Sequence, residues 1–232
     1  MLVAAMAMLA VANVGCSKDD SNNNNANSGG NGGCDVPAGW VDLGLPSGLL
    51  WAQCNVGATT PEGYGNYFAW GETTTKDSCN WSTYRYCTVN GEGSLASLTK
   101  YNTRTPFGTV DNLTTLEPGD DAATVNMGNG ARTPTMDEWN ELLNNTTVEW
   151  TTLNDVLGRK FTAPNGESII LPAAGHYNDS DFLDIGSSGR YWSSSLRADA
   201  GGAWRFYLNS DYQRMEGASR CHGQSVRAVR DR

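Results

Sequence analysis

Residues 132–143 read Arg-Thr-Pro-Thr-Met-Asp-Glu-Trp-Asn-Glu-Leu-Leu, and this stretch predicts the best-defined helix of the chain. Thr135 and Glu138 have the spacing of a capping box, in which each side chain bonds the backbone N–H group of the other residue. We therefore expect a helix that begins after Thr135, ends near residues 144–145 and packs against a core. Apolar residues recur behind the cap at helical spacing, namely Met136, Trp139, Leu142 and Leu143.

Short strands are predicted on both sides of this helix, where strand-forming runs are bounded by turn residues. Before the helix, residues 41–52 are predicted to form two strands around a Pro-Ser-Gly turn, and residues 66–70 another strand or extended segment. Partial alternation of apolar and polar residues favours an antiparallel sheet. The predicted fold class is therefore α+β, with short antiparallel strands, one or two helices and long loops. Four further strands are expected after the helix, at residues 168–172, 190–195, 203–208 and 224–229.

A second, shorter helix is predicted after the acidic pair Asp120-Asp121, with an Asp as N-cap and Gly128 at the carboxyl end. The same two carboxylates, together with Glu117, are alternative calcium ligands, because calcium takes oxygen ligands. No Cys-x-x-Cys motif occurs and the chain has 2 histidines, so a structural zinc site is not expected. The sequence therefore predicts no cofactor, and calcium is the one alternative.

The chain begins with an apolar run, residues 1–15, which is followed by Cys16 and a polar, acidic segment. A run of this length that ends in a small residue is typical of a secretory signal, and it is too short to span a membrane as a helix. A cysteine directly after such a run resembles the acylation site of bacterial lipoproteins, so we expect Cys16 to be lipidated. No Lys or Arg precedes the run, which leaves open whether Met1 is the true start.

Residues 16–34 combine the lipidated cysteine with a Ser-, Asn- and Gly-rich segment that buries too little apolar surface to fold. This composition predicts a flexible tether, and residues 35–232 then form a single domain of about 200 residues. The expected location is the outer membrane or cell surface, with lipid as the sole contact with the membrane. A net charge of −9 argues against nucleic acid as a partner, because phosphate binding needs a basic stripe.

Five cysteines remain beyond the lipidated one, and an exported domain permits disulfides. Cys79 and Cys87 are close enough in sequence to close one loop. Cys54 and Cys221 are candidates for a second disulfide that joins the beginning of the domain to its end. Because five is an odd number, at least one of these cysteines has no disulfide partner among the others. Cys34, at the boundary of the tether, is our candidate for this cysteine.

A series of short motifs follows in order along the domain: residues 44–52 (GLPSGLLWA), 55–58 (NVGA), 67–72 (YFAWGE), 120–123 (DDAA), 132–135 (RTPT), 171–175 (LPAAG), 189–195 (GRYWSSS) and 223–227 (GQSVR). Together they cover about residues 40–230 and resemble the Fibrobacter succinogenes major paralogous domain, which is frequent in Bacteroidetes lipoproteins. The resemblance implies a C-type lectin-like or formylglycine-generating-enzyme-like architecture, with function carried by long loops. It implies no defined activity.

Most of these motifs also have a structural explanation. Trp139 and Trp192 are expected in the core, and Arg132 and Arg227 are expected to form ion pairs or to cap backbone carbonyls. Three glycines fit turns that need a positive φ, namely Gly175, Gly189 and Gly223.

Enzymatic functions find little support among the residues. Formylglycine-generating enzymes use a cysteine pair near the C-terminal end, where this chain has Cys221 alone, and iron-dependent relatives use three histidines. A nucleophile-elbow Gly-x-Ser-x-Gly motif is missing as well. We therefore predict no catalytic residues, although a carboxylate pair for polysaccharide hydrolysis stays open among the 25 acidic residues.

Two loop regions form the predicted ligand-binding surface, because Tyr and Trp give large contact areas and Asn and Arg give adaptable hydrogen bonds. The first region includes Trp81 and Tyr84, and the second lies within residues 207–222. The alternative is that these aromatic side chains fill the core of a loop-rich domain. The second region contributes the candidates Tyr207, Asn209, Asp211, Tyr212, Arg214 and Arg220.

Three hypotheses for function follow from the sequence. The first is a cell-envelope lipoprotein whose lectin-like domain binds an extracellular glycan or protein. The second is a hydrolase that acts on extracellular polysaccharide, and the third is a structural or adhesin-like subunit that assembles with partners.

Overall fold

Antiparallel strands dominate the computed structural model, which describes residues 39–199 and 201–232. Two α-helices, α1 (Ala122–Met127) and α2 (Met136–Asn145), accompany the strands in this part of the chain. The strands, in chain order, are β1 (Trp40–Asp42), β2 (Leu50–Asn55), β3 (Cys87–Val89), β4 (Leu95–Leu98), β5 (Thr147–Leu153), β6 (Val156–Thr162), β7 (Ser168–Pro172), β8 (Ala174–Asn178), β9 (Asp181–Ile185), β10 (Ser188–Leu196), β11 (Gly202–Asn209), β12 (Gln213–Ser219) and β13 (Arg227–Arg230).

The strands form four sheets. A five-stranded sheet has the order β12-β11-β10-β8-β9, and two three-stranded sheets have the orders β1-β2-β13 and β5-β6-β7. Strands β3 and β4 form a separate hairpin. The neighbouring strands are antiparallel except for β8 and β10, which run parallel. The predicted combination of short antiparallel strands with few helices is therefore confirmed.

The predicted capping box is present at the start of α2. The Thr135 hydroxyl accepts the Glu138 N–H at 3.3 Å, and the Glu138 carboxylate accepts the Thr135 N–H at 2.8 Å. Trp139 faces the core, where its ring stacks on Phe206 of β11 with 4.8 Å between the ring centres. Its edge also meets Trp51 of β2 at 5.0 Å. Helix α2 thus joins two sheets through one buried tryptophan.

Asp121 is the N-cap of α1, as predicted. Its carboxylate accepts the N–H of Ala123 at 3.0 Å, and Gly128 ends the helix with a positive φ of 63°. The other oxygen of Asp121 accepts the N–H of Thr133 at 2.8 Å. The cap therefore also fixes the chain that leads into α2.

The arginines of the motifs have the structural roles expected of them. Arg132 forms a two-pronged ion pair with Glu138, at 2.7 and 2.6 Å. Arg227 is completely buried, and its guanidinium donates to the backbone carbonyls of Ala52, Gln53 and Ile170. These bonds connect β13 to β2 and β7.

The three motif glycines do not all share one explanation. Gly175 has a φ of 64°, as predicted. For Gly189 and Gly223 the prediction of positive φ is wrong, because neither is among the positive-φ glycines of the described chain. A Cβ atom at Gly189 would lie 2.6 Å from the Pro172 carbonyl oxygen, and one at Gly223 would lie 2.7 Å from Cys79 Sγ. Close packing, not backbone conformation, requires glycine at these two positions.

Two predictions of local structure need correction. Of the two alternatives for residues 66–70, a strand or an extended segment, the strand is not formed, since only Phe68 makes an isolated bridge, to Gln224. The second predicted loop region, within residues 207–222, contains strand β12, which pairs along its whole length with β11. The sequence of β12 is weak in strand-forming residues, and its conformation comes from backbone pairing with its neighbour.

The two predicted disulfides are not formed. Cys79, Cys87 and Cys221 are free thiols, whereas Cys54 is disulfide-bonded and therefore has a partner other than Cys221. The Cys87 thiol donates to the Trp81 carbonyl at 3.2 Å instead. Nearness in sequence does not guarantee the Cβ orientation that a disulfide requires.

The described residues fall within one compact unit, Gly32–Arg232. The predicted signal peptide, the lipidated Cys16, the tether and Cys34 lie outside the described residues. In the part of the chain that is described, no helix has the length and apolar character needed to cross a membrane.

Candidate functional site

Two of the sequence-predicted site residues, Tyr84 and Arg220, belong to the interior, and a third, Trp81, is half-buried beside them. The hydroxyl of buried Tyr84 donates to the Trp70 carbonyl at 2.9 Å. Buried Arg220 donates to the carbonyls of Gly202 and Tyr101, at 3.2 and 2.8 Å. Both side chains therefore stabilise the core. For Tyr84 this is the alternative to a binding role that the sequence analysis gives. Half-buried Trp81 packs its ring edge-on against Tyr84, with 5.6 Å between the ring centres.

The other five predicted residues come together on the β11–β12 hairpin. Asn209 closes the turn, because its side-chain oxygen accepts the N–H groups of Asp211 and Tyr212, both at 2.9 Å. The turn brings the ring of Tyr212 to 5.6 Å from that of Tyr207, and Arg214 lies over Tyr212 at 4.9 Å. This half of the predicted surface is a single cluster.

The strand register places three arginines around Tyr207. Tyr207 lies directly across from Arg190 on β10 and from Arg214 on β12. Arg205 is two residues earlier on the same strand, so it points to the same side of the sheet. The guanidiniums of Arg190 and Arg205 lie 5.7 and 5.9 Å from the centre of the Tyr207 ring. We call Arg190, Arg205, Tyr207, Tyr212 and Arg214 the arginine–tyrosine face.

Burial separates this face from the opposite side of the sheet. Phe206 and Leu208, which alternate with the outward residues of β11, are completely buried. On the arginine–tyrosine face, Tyr212 is 42% exposed and the Arg214 side chain is 60% exposed. The side chains of Arg190 and Arg205 are only 13% and 14% exposed, so their guanidiniums are held in place by packing.

Two carboxylates are shared among the three arginines. Glu216 accepts from Arg205 through one oxygen, at 3.0 and 2.6 Å, and from Arg214 through the other, at 3.1 and 3.0 Å. Asp184 of β9 accepts from Arg190 at 2.7 Å. The face therefore carries one uncompensated positive charge in a chain whose net charge is −9.

The carboxylate of Asp211 also lies at the turn, but its negative charge is balanced by a fourth arginine, Arg159. Arg159 of β6 donates its Nε to the Asn209 carbonyl at 2.7 Å, and the negative charge of Asp211 acts on its guanidinium. Together the two side chains contribute no net charge to the hairpin.

Two histidines lie beside Arg190. The ring of His176 contacts the Arg190 guanidinium, and the ring of His222 lies 6.0 Å from that of His176. Burial, followed by the charge of Arg190, lowers the pKa of His176 from 6.5 to about 4. Burial and the charges of Arg205 and Arg190 also lower the pKa of His222. Both imidazoles are neutral near pH 7, so the arginines supply the positive charge.

Sequence reasoning missed the residues that the sheet contributes from outside the hairpin. Arg190, His176 and Asp184 come from β10, β8 and β9, far from the predicted loop in sequence. The available signal was that Arg190 and Arg205 are polar residues within the apolar runs of two predicted strands. Only the register shows that these positions share one face.

The candidate calcium ligands already have protein partners. Asp120 accepts from Lys100, Tyr86 and Tyr101, at 2.6, 2.5 and 2.7 Å. Glu117 pairs with the same Lys100 at 2.5 Å, and Asp121 caps α1. Among the residues that are described, no group of three His, Cys, Asp or Glu side chains is placed to hold a metal ion.

The chain matches no protein family, no curated protein and no solved structure with which it was compared. Function is therefore argued from the geometry of the site itself.

Proposed function

We propose that this chain is a cell-envelope lipoprotein whose folded domain binds an extracellular ligand, a glycan or a protein, through the arginine–tyrosine face. The observation that carries the proposal is the placement of Tyr207 between three arginines on one side of a five-stranded sheet. Guanidinium groups and tyrosine rings are the side chains most often used for recognition. Packing holds two of the three guanidiniums in place, which reduces the entropy lost on binding.

Binding fits this face better than catalysis does. Both carboxylates of the face already accept hydrogen bonds from arginines. Glycoside hydrolysis needs one carboxylic acid that donates a proton and a second carboxylate that acts as base or nucleophile. Hydrolysis of extracellular polysaccharide is therefore the second candidate, and a structural or adhesin-like subunit is the third.

The sequence motifs extend the proposal to fold family and location. The ordered blocks from residue 44 to residue 227 support a C-type lectin-like domain similar to the Fibrobacter succinogenes major paralogous domain of Bacteroidetes lipoproteins. Cys16, which follows the apolar run, supports a lipid anchor at the outer membrane or cell surface. A Cys16→Ala protein expressed in a bacterial host is expected to lose both lipid labelling and membrane retention, and retention of both would contradict the anchor.

A glycan array and a pull-down from envelope extracts, both with the purified protein, test the binding role. We expect a reproducible ligand whose binding falls for Arg214→Ala and Tyr212→Ala. Arg104→Ala is the matched control, because Arg104 also lies over an aromatic ring, that of Phe107, but is outside the face. Equal binding by all three variants would show that the ligand does not bind at the arginine–tyrosine face. Product release from a bound glycan would favour the hydrolase.

A further inference from the structure

The arginine–tyrosine face has hydrogen-bonding capacity that its own carboxylates do not use. Glu216 takes Nε and Nη2 of both Arg205 and Arg214. Within the described residues, no hydrogen bond involves Nη1 of either guanidinium. Arg190 Nε and His222 Nδ1 are buried without a hydrogen-bond partner in the described part of the chain. A buried polar group is costly to leave unpaired, and Nη1 of Arg205 and of Arg214 remains free to donate, so this side of the sheet can take a further hydrogen-bond acceptor.

We expect this further acceptor to be an anion. Three guanidiniums, two carboxylates and two neutral imidazoles leave one positive charge on the face. Arginine forks bind carboxylate and sulfate oxygens through charge-assisted hydrogen bonds, which are about twice as strong as neutral ones. The remaining negative charge of the chain is screened beyond roughly 8 Å at physiological ionic strength, so the local arginines decide what is bound.

The rings of the face add a second requirement. Tyr207 and Tyr212 lie side by side, with 5.6 Å between their centres, and Tyr212 is exposed. An aromatic ring offers a flat apolar surface on which the C–H face of a sugar ring can pack. A ligand that satisfies both the rings and the guanidiniums carries its charge on a ring-shaped unit.

From these contacts we infer that the ligand is an acidic polysaccharide, with a carboxylate or sulfate group held by Arg190, Arg205 and Arg214 and a sugar ring packed on Tyr212. This inference rests on the proposed binding function and names its ligand class. Carboxylate and sulfate share the chemistry that the guanidiniums recognise.

An acidic peptide is the competing ligand, and the sheet geometry disfavours it. A peptide would add most readily as a strand beside β12, which is the edge of the five-stranded sheet. Neighbouring strands are about 4.8 Å apart, so an added strand would lie roughly 14 Å from Arg190 on β10. The positive charge of the arginines is centred on Tyr207 of β11, one strand in from the edge. A ligand that lies over the face contacts this charge directly.

Calorimetric titration of the full chain tests this inference, with polygalacturonate and dextran sulfate as acidic probes at about 150 mM salt. Carboxyl-reduced polygalacturonate and dextran are the matched neutral polymers, and poly-glutamate is the acidic peptide. We expect at least one acidic polysaccharide to bind roughly tenfold or more tightly than its neutral partner, as one charge-assisted hydrogen bond provides. Arg214→Gln and Tyr212→Ala should each weaken this binding about tenfold, and Arg104→Gln should leave it unchanged.

Several outcomes would overturn the inference. These are equal affinity for acidic and neutral polymers, poly-glutamate binding as tight as that of the polysaccharides, no effect of Arg214→Gln, or no binding of either acidic polysaccharide. The proposed function fails separately, if no glycan or protein ligand depends on the arginine–tyrosine face. A neutral glycan bound through Tyr212 would keep the proposed function and remove the acidic ligand.

Discussion

Arg227 donates to one oxygen of Asn55 from two nitrogens, Nε at 3.0 Å and Nη2 at 2.9 Å. Both residues are buried, and Asn55 ends β2 where Arg227 begins β13. Burial lowers the pKa of Arg227 to about 10, so the guanidinium stays charged near pH 7. The pair therefore joins the second and the last strand of the described domain, β2 and β13, through a charged group that has no contact with solvent.

Replacing Arg227 is expected to lower the stability of the domain. Arg227→Lys keeps the charge but cannot reach Asn55 and the backbone carbonyls together, and it leaves buried acceptors unpaired. We expect the free energy of unfolding to fall by about 3 kcal/mol or more, measured by urea denaturation. Arg104→Lys, at an exposed position, should stay within about 0.5 kcal/mol of the parent protein. A lysine at position 227 that is as stable as arginine would contradict the role of the planar fork.

Loss of the capping box of α2 is expected to lower the free energy of unfolding by less than the Arg227 substitution does. Thr135→Ala removes the oxygen that accepts the Glu138 N–H, and the free energy of unfolding should fall by about 1 kcal/mol. Thr135→Ser retains the hydroxyl and should restore most of this stability. Thermal unfolding followed by circular dichroism measures both variants. If serine and alanine prove equally destabilising, the hydroxyl is not the stabilising group.

The free thiols predict slow chemical modification. Burial raises the pKa of Cys221 to about 12, and it also raises the pKa of Cys79 and of Cys87. Because the thiolate is the reactive form, we expect iodoacetamide to modify these residues at pH 8 only after denaturation, without added reductant. Peptide mass spectrometry identifies the modified positions. A requirement for reductant at Cys79 and Cys87 would show that they form a disulfide after all.

The lowered pKa of His176 predicts a loss of stability in mild acid. The folded-state pKa of about 4 lies below the usual 6.5, so between these values the unfolded chain binds more protons. Stability is then greatest above pH 6.5 and falls as the pH decreases towards 4. From pH 7 to pH 5 this one group should cost about 2 kcal/mol.

Comparison with His176→Gln isolates this contribution. The other titrating groups are common to both proteins, so urea denaturation at pH 7 and pH 5 should show a smaller loss for the variant. His222, whose pKa is lowered in the same direction, remains in both. An equal loss in the two proteins would assign the acid sensitivity to other groups.

Local sequence spacing predicted the two helices well. Thr135 and Glu138 are three residues apart, and Asp121 precedes α1 directly, so the caps depend on contacts within one turn. The burial of Trp139 followed from helical periodicity for the same reason. The disulfides and the loop region within residues 207–222 were predicted wrongly, because both depend on which distant segments become neighbours.

The residues of the candidate site likewise fall into those that the sequence could identify and those that depend on tertiary packing. Tyr207, Asn209, Asp211, Tyr212 and Arg214 lie within one hairpin, and their residue types alone marked them. Tyr84 and Arg220 have equally suitable side chains, yet both are buried and bonded to core carbonyls. Residue type indicates what a side chain can bind, whereas only packing decides whether the side chain reaches the surface.

Features with local causes follow from the order of the amino acids, namely the capped helices, the apolar runs of the main strands and the acidic character of the chain. That Arg190 of β10 and Arg214 of β12 flank Tyr207 follows only from the folded sheet. Side chains alternate between the two faces of a sheet, so a shift of the register by one residue would move an arginine to the other face. Backbone pairing between segments that are distant in sequence sets that register, and with it the arginine–tyrosine face.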